Sequence, residues 1–331
     1  MPRMSPWAQT TVPLESLQPA TAAGAPTRAA AAMPNVATIK AQRRCIRMIT
    51  PKVPHKHAPA RDIMVTMSPK KSVFITGAAA GIGRATALNF AKNGYVVGAY
   101  DLDEVGLKTL SKEIEDLGAT AVTGHLDVTD ADEMAQRVGE FAAAAGNRLD
   151  VMINNAGILI AGRFEEIAVT AHHKEIDVNT KGVVNGLHAA FPFLRATPGA
   201  VVVNMASASA IYGQAELANY SATKFFVRAI TEALDLEWKR YGIRVIAMWP
   251  LYVQTAMTAD VRTGTTDSLG IRLTAQDIAD DIAAAVDPSL ARRLIHQVHF
   301  PVGSQAKTLA VAARFSPAWL TRLVNKRLAH S

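Results

Sequence analysis

Tyr220 and Lys224 stand four residues apart in Asn-Tyr-Ser-Ala-Thr-Lys, a spacing that puts a phenol and an ammonium on one face of a helix. A cation beside a phenol favours the phenolate, which turns a poor proton donor into a usable general acid or base. Ordinary surface and core helices carry the same pair at the same spacing, so other residues have to decide what this one does.

Thr76-Gly77-Ala-Ala-Ala-Gly81-Ile82-Gly83 falls between an expected strand and an expected helix. Glycines there permit a tight turn and let a pyrophosphate approach backbone N–H groups at a helix N-terminus, where the dipole favours negative charge. The spacing differs from Gly-x-Gly-x-x-Gly, and no Gly-Lys-Ser/Thr follows, so a triphosphate loop is not supported. Asp101, in Ala-Tyr-Asp-Leu-Asp, is placed to accept hydrogen bonds from a ribose and to repel a 2′-phosphate, which favours NAD over NADP. Helix capping explains the same carboxylate, and Arg84 would offset part of the repulsion. Asp127 and Asn154-Asn155-Ala156-Gly157 close two further strands, at the sheet end where open α/β proteins bind ligands. Turn chemistry accounts for both equally well.

Short, β-branched apolar runs with little alternation alternate with helical patterns from Ser72 onward, as expected for strands buried on both faces of a parallel sheet. The strands are expected near 73–76, 95–100, 121–128, 149–154, 200–205 and 243–249. Helices are expected at 82–93, 103–117, 130–145, 166–195 and 217–241, the last closed by Gly242. The pattern predicts an α/β fold: a single doubly wound Rossmann-type domain with a mainly parallel central sheet, over 68–287. Residues 251–272 read as a flexible loop, 274–286 as a helix and 297–302 as a last strand. Residues 316–328 predict an amphipathic helix, with Trp319, Leu320, Leu323, Val324 and Leu328 on one side and Arg322, Lys326 and Arg327 elsewhere.

The 331 residues carry a net charge of +7. Residues 1–67 account for +7 and the segment from Pro288 onward for another +7, leaving the body at −7. The body has no basic stripe interleaved with aromatics, so no nucleic-acid partner is expected. Cys45 is the single cysteine, which excludes an intrachain disulfide and fits a reducing, cytoplasmic setting. No apolar run approaches a spanning helix. Residues 1–67, rich in Ala, Pro, Thr and Arg, are expected to be a disordered basic extension. An over-extended start, with Met67 or else Met64 the true one, explains that stretch better than a targeting segment, whose amphipathic helix the repeated prolines would break. The basic 288–331 extension keeps peripheral membrane contact open beside simple packing.

Thr-Gly-x₃-Gly-x-Gly, Asn-Asn-Ala-Gly, a serine thirteen residues before a tyrosine and Tyr-x₃-Lys, in this order over roughly 70–260, together resemble the classical short-chain dehydrogenases/reductases. The resemblance implies that Tyr220 is the acid/base, that Lys224 depresses its pKa and binds the nicotinamide ribose, and that Ser207 orients the reacting oxygen. Asn179 would hold a water in a proton relay to Lys224. Gly77, Gly81, Ile82 and Gly83 match the phosphate turn, Asp127 and Asn155 match positions near the adenine and its ribose, and Thr255 matches the residue that meets the nicotinamide amide. Leu251 replaces a glycine common after this proline, and Ala206 stands where a second serine is frequent, with Ser209 a less well-spaced substitute.

These residues predict an NAD(P)-dependent oxidoreductase that interconverts an alcohol and a ketone or aldehyde. Tyr212, Trp249, Leu251, Tyr252 and Met257 suggest an apolar, fairly bulky substrate. The resemblance also implies a homo-oligomer. A nucleotide-sensing protein without catalysis, or a membrane- or partner-docking protein, are the alternatives on the same fold. His172-His173, His55-x-His57 and His296-x₂-His299 lack a third ligand at a recognisable spacing, so no metal is expected.

Overall fold

The strands run β1 (Ser72–Thr76), β2 (Val96–Asp101), β3 (Thr120–His125), β4 (Val151–Asn154), β5 (Val201–Met205), β6 (Arg244–Pro250), the two-residue β7 (Val253–Gln254) and β8 (Leu273–Thr274), and β9 (His299–Val302). In the computed structural model, which describes residues 70–258, 263–288 and 296–328, seven of them form one parallel sheet in the order β3-β2-β1-β4-β5-β6-β9. Every residue of β1, β4 and β5 is buried, which is why their sequences lack alternation.

Between the strands lie α1 (Gly81–Lys92), α2 (Glu104–Asp116), α3 (Ala131–Ala144), α4 (Val169–Ile176), α5 (Gly182–Ala196), α6 (Ala218–Trp238), α7 (Gly264–Leu269) and α8 (Ala275–Val286), with α9 (Gly303–Phe315) and α10 (Ala318–Leu328) at the end. Successive β1 side chains alternate between two cores, as strand geometry requires. Val73 and Ile75 pack with Leu107, Leu110 and Ile278 on one face. Phe74 packs with Phe141, Leu187 and Val227 on the other. The architecture is the doubly wound Rossmann type.

Several boundaries differ from the sequence expectation. The third strand stops at His125, because 126–130 turn into the Asp130 cap of α3, whose carboxylate accepts the N–H groups of Asp132 and Glu133. The single helix expected over 166–195 is a 3₁₀ turn, then α4, a π segment at Asp177–Lys181, and α5. The loop expected at 251–272 contains β7, a 3₁₀ turn at Ala256–Thr258 and α7, the last started by a reciprocal Thr263–Thr266 capping box. Past residue 287, β9 hydrogen-bonds along β6, so the sheet extends beyond the boundary drawn there. Helix α9 was not anticipated, because its inward residue Ala306 is too small to signal a buried face. The expectations for 1–67 lie outside the described residues.

Candidate active site

Strand β1 pairs with both β2 and β4, so the crossovers leave it toward opposite faces and open a crevice at the C-terminal strand ends. A cavity of about 380 Å³ fills that crevice. Gly77, Gly81, Ile82, Asp101, Asp127 and Asn155 line the glycine-turn side with Thr255 against Gly81, and Ser207, Tyr220 and Lys224 line the rest. Two of the expected site residues, Gly83 and Asn179, support the cavity from behind.

The glycine turn is held by close contacts. Gly77 has φ +66°, and a Cβ there would lie 2.8 Å from the Ala156 Cα. A Cβ on Gly83 would collide with the Gly77 carbonyl oxygen, so this glycine lets α1 start directly against the turn. Asn155 donates its Nδ2 to the carbonyls of Thr76 (3.0 Å) and Gly77 (2.9 Å), while the Thr76 hydroxyl accepts the N–H groups of Asn155 and Ala156. No side chain caps α1, and no acid stands in its first turn. The helix therefore presents an uncompensated positive end to the cavity, which suits a bound anion.

Asp101 lines the cavity and accepts the Ala79 N–H at 2.9 Å. Arg84 is paired with Glu113 at 2.5 Å and so is already engaged by a carboxylate other than Asp101. Asp127 accepts the N–H and hydroxyl of Thr129, so the turn reading of this residue holds, and its side chain also borders the cavity.

Helix α6 buries Tyr220, Lys224, Val227 and Thr231, a spacing that lays all four along one stripe. The Lys224 Nζ donates to the Met205 carbonyl at 2.9 Å and sits 5.4 Å from the centre of the Tyr220 ring. Burial pushes the Lys224 ammonium down to about 8, against the pull of Glu175. Burial also pushes the Tyr220 phenol up, opposed by a hydrogen bond with Ser207. The Ser207 hydroxyl lies 3.2 Å from the Ser209 hydroxyl, which makes Ser209 a neighbour of the site.

Asn179 occupies the π segment, a local widening common at functional sites. Its side chain is engaged at both atoms: Oδ1 accepts the Ile158 N–H at 2.9 Å, and Nδ2 donates to the Ile158 carbonyl and the Thr223 hydroxyl. Thr255 borders the cavity against the turn, its Cγ2 3.3 Å from where a Cβ on Gly81 would be.

Glu175, Gln214 and Asn219 escaped the sequence reading. Glu175 is fully buried and accepts the Ile160 N–H (2.9 Å) and the Asn219 Nδ2 (2.7 Å), so it ties the 158–160 wall to the residue before Tyr220. Burial raises its pKa. No sequence signal points to it, because α4 buries His172 and Glu175 while exposing Val169 and Ile176, the reverse of an apolar-inward pattern. Gln214 borders the cavity and accepts the Tyr252 hydroxyl at 3.1 Å. Of the expected substrate-pocket residues, Leu251, Tyr252 and Met257 line the cavity. Trp249 does not, because it projects into the opposite core and stacks on His299. Tyr212 lines a separate small cavity with Leu309 and Ala312.

The short chain dehydrogenase family model matches residues 71–266, the span that builds this cavity. This chain belongs to the short chain dehydrogenase family. The dehydrogenase is 33% identical over 199 residues to a cyclohexanol dehydrogenase from an Acinetobacter species, covering 60% of this chain and 79% of that one. A 3-ketoacyl-(acyl-carrier-protein) reductase from Brucella melitensis, solved with NADH, aligns at 28% identity and TM-score 0.65, over 72% of this chain and all of that one. An alcohol dehydrogenase from the archaeon Thermococcus sibiricus, solved with 5-hydroxy-NADP, aligns at 25% identity and TM-score 0.60, over 66% and 92%. The protein is thus an NAD(P)-dependent oxidoreductase. Among the described residues no group of three or more His, Cys, Asp or Glu is placed to hold a metal, and no helix is long and apolar enough to cross a membrane.

Proposed function

We propose that this dehydrogenase interconverts an alcohol and a ketone or aldehyde, with Tyr220 as the acid/base. One observation carries the reading: Ser207, Tyr220 and Lys224 share a cavity with a glycine turn at its far end. When bound, a nicotinamide would supply the hydride acceptor or donor. In oxidation the Tyr220 phenolate takes the hydroxyl proton as the carbon loses its hydride; in reduction the phenol returns a proton to the oxygen. Ser207 donates a hydrogen bond that fixes this oxygen as its charge changes. Lys224, 5.4 Å from the Tyr220 ring, stabilises the phenolate and would bind the nicotinamide ribose. Asn179 holds the 157–158 segment and, from its π turn, offers a relay water to Lys224.

Gly77, Gly81 and Ile82 would take the pyrophosphate, Asp127 and Asn155 the adenosine side, and Thr255 the carboxamide. Asp101 faces the cavity with Arg84 engaged by Glu113, which supports NAD over NADP. Leu159, Leu251, Tyr252 and Met257 on the lining support an apolar substrate, in keeping with the cyclohexanol dehydrogenase among its relatives. Exposed Val184 on α5 and Phe225 and Phe226 on α6 support a homo-oligomer formed through these helices.

Replacing Tyr220 with Phe keeps the ring and removes the proton. The expected kcat/KM for NAD-dependent alcohol oxidation falls by about 10²- to 10⁴-fold, with NAD affinity, read by fluorescence titration, nearly unchanged. Full turnover in Tyr220→Phe would refute the assignment.

A further inference from the structure

The last two helices turn a mixed basic and apolar surface outward. On α9, Lys307, Val311, Arg314 and Phe315 are exposed at a spacing that places them on one face. On α10, Trp319, Arg322, Leu323, Lys326 and Arg327 are exposed and again share a face. Phe315 is 80% exposed and Trp319 66%, unusual for large aromatics on a polar helix surface. The sequence had separated the apolar side of α10 from its basic residues, whereas the fold exposes Trp319 and Leu323 beside Arg322 and Lys326. No Asp or Glu occurs from Pro288 to Ser331.

We infer that the outward faces of α9 and α10 dock on an anionic phospholipid surface beside the substrate end of the cavity. Lys and Arg on these faces would meet lipid phosphates, and Trp319, Phe315 and Val311 would enter the headgroup–acyl boundary, as in interfacial helices. Charge selects this occupant. Two copies meeting through these helices would bring cation against cation with no acid on either helix to compensate. A nucleic acid would satisfy the charge while leaving the exposed apolar groups without a medium to enter.

The position of the helices adds a purpose. Asn325 donates to the Gly213 carbonyl at 2.5 Å, and the next residue, Gln214, lines the cavity. Helix α10 also touches α7, which follows the cavity-lining 250–258 segment. A membrane seated on these helices would hold the enzyme where an apolar alcohol or ketone dissolves, a delivery role that rests on the alcohol–ketone reading.

Full-length protein floated with phosphatidylcholine vesicles, with and without phosphatidylglycerol, tests the docking. Binding is expected only with phosphatidylglycerol and is expected to vanish in high salt. Each basic group removed should weaken it about fivefold, so Arg322→Glu/Lys326→Glu should lose a hundredfold or more by that rule, about four charges in all. Phe315→Ser/Trp319→Ser should lose about tenfold or more. Turnover of a water-miscible alcohol, measured without vesicles, should match wild type in both double variants and shows that they fold. Binding that survives in both variants assigns the affinity to the basic residues of 1–67 and overturns the inference, as does equal flotation with uncharged vesicles. A monomer–dimer equilibrium in ultracentrifugation that both variants abolish would also overturn it. Normal vesicle binding without alcohol turnover would instead sink the alcohol–ketone reading and leave the docking intact.

Discussion

The two ends of the cavity are built differently. At the glycine end the walls are backbone: the 76–83 turn, Asn155 bonded to two carbonyls, Asp101 bonded to the Ala79 N–H, and strands buried on both faces. At the Tyr220 end the walls are side chains on short elements, Leu251, Tyr252 and Met257 among them, with Met257 45% exposed. A ligand common to many reactions suits the first kind of wall, since backbone geometry tolerates almost no change. A reaction-specific ligand suits the second, where side chains can be exchanged without disturbing the sheet.

The largest test of that contrast is Gly83→Ala. Its Cβ has to displace the Gly77 carbonyl, an overpacking of about 1–3 kcal/mol applied directly to the turn. Calorimetry should show a melting point lower by several degrees, and NAD titration an affinity weaker by more than about tenfold. A variant that binds NAD normally would show that the turn is softer than its contacts indicate.

Asp101→Ser should have an intermediate effect. It removes an acceptor from the Ala79 N–H and the charge that discriminates against a 2′-phosphate. The ratio of kcat/KM for NAD to that for NADP should fall by about ten- to a hundredfold, corresponding to a hydrogen bond to a charged group. An unchanged ratio would move cofactor selection to another residue.

Leu251→Gly should be the mildest. Steady-state kinetics on a small alcohol should change by less than about threefold, since the backbone walls are untouched, while bulky alcohols should gain from the wider pocket. A loss comparable to that of Gly83→Ala would erase the distinction between the two ends.

Much of the glycine end is readable in the sequence because local constraints create it. Gly77 needs positive φ, Gly83 needs the absence of a Cβ, and both requirements are written in residue type at a fixed spacing. Tyr220 and Lys224 were readable for the same reason, since a four-residue step on a helix fixes a shared face. Trp249 and Tyr252 show where such reading stops. Both are aromatic and three residues apart in one segment, yet Trp249 faces the far core and Tyr252 the cavity, because a strand sends neighbouring side chains to opposite faces and a loop then resets the register.

Glu175 was hidden more deeply. Nothing in Lys-Glu-Ile distinguishes a solvated helix acid from a buried one, and only the packing of α4 against α6 gives its carboxylate the Ile160 and Asn219 donors. The amino-acid sequence alone determined the alternation of strands and helices from β1 to β6, the glycine turn and the phenol–ammonium pair, since each depends on neighbours within a few residues. The tertiary structure alone decided that Arg84 belongs to Glu113, that Glu175 supports α6 through Asn219 and that Trp319 faces outward, because each depends on distant segments brought into contact.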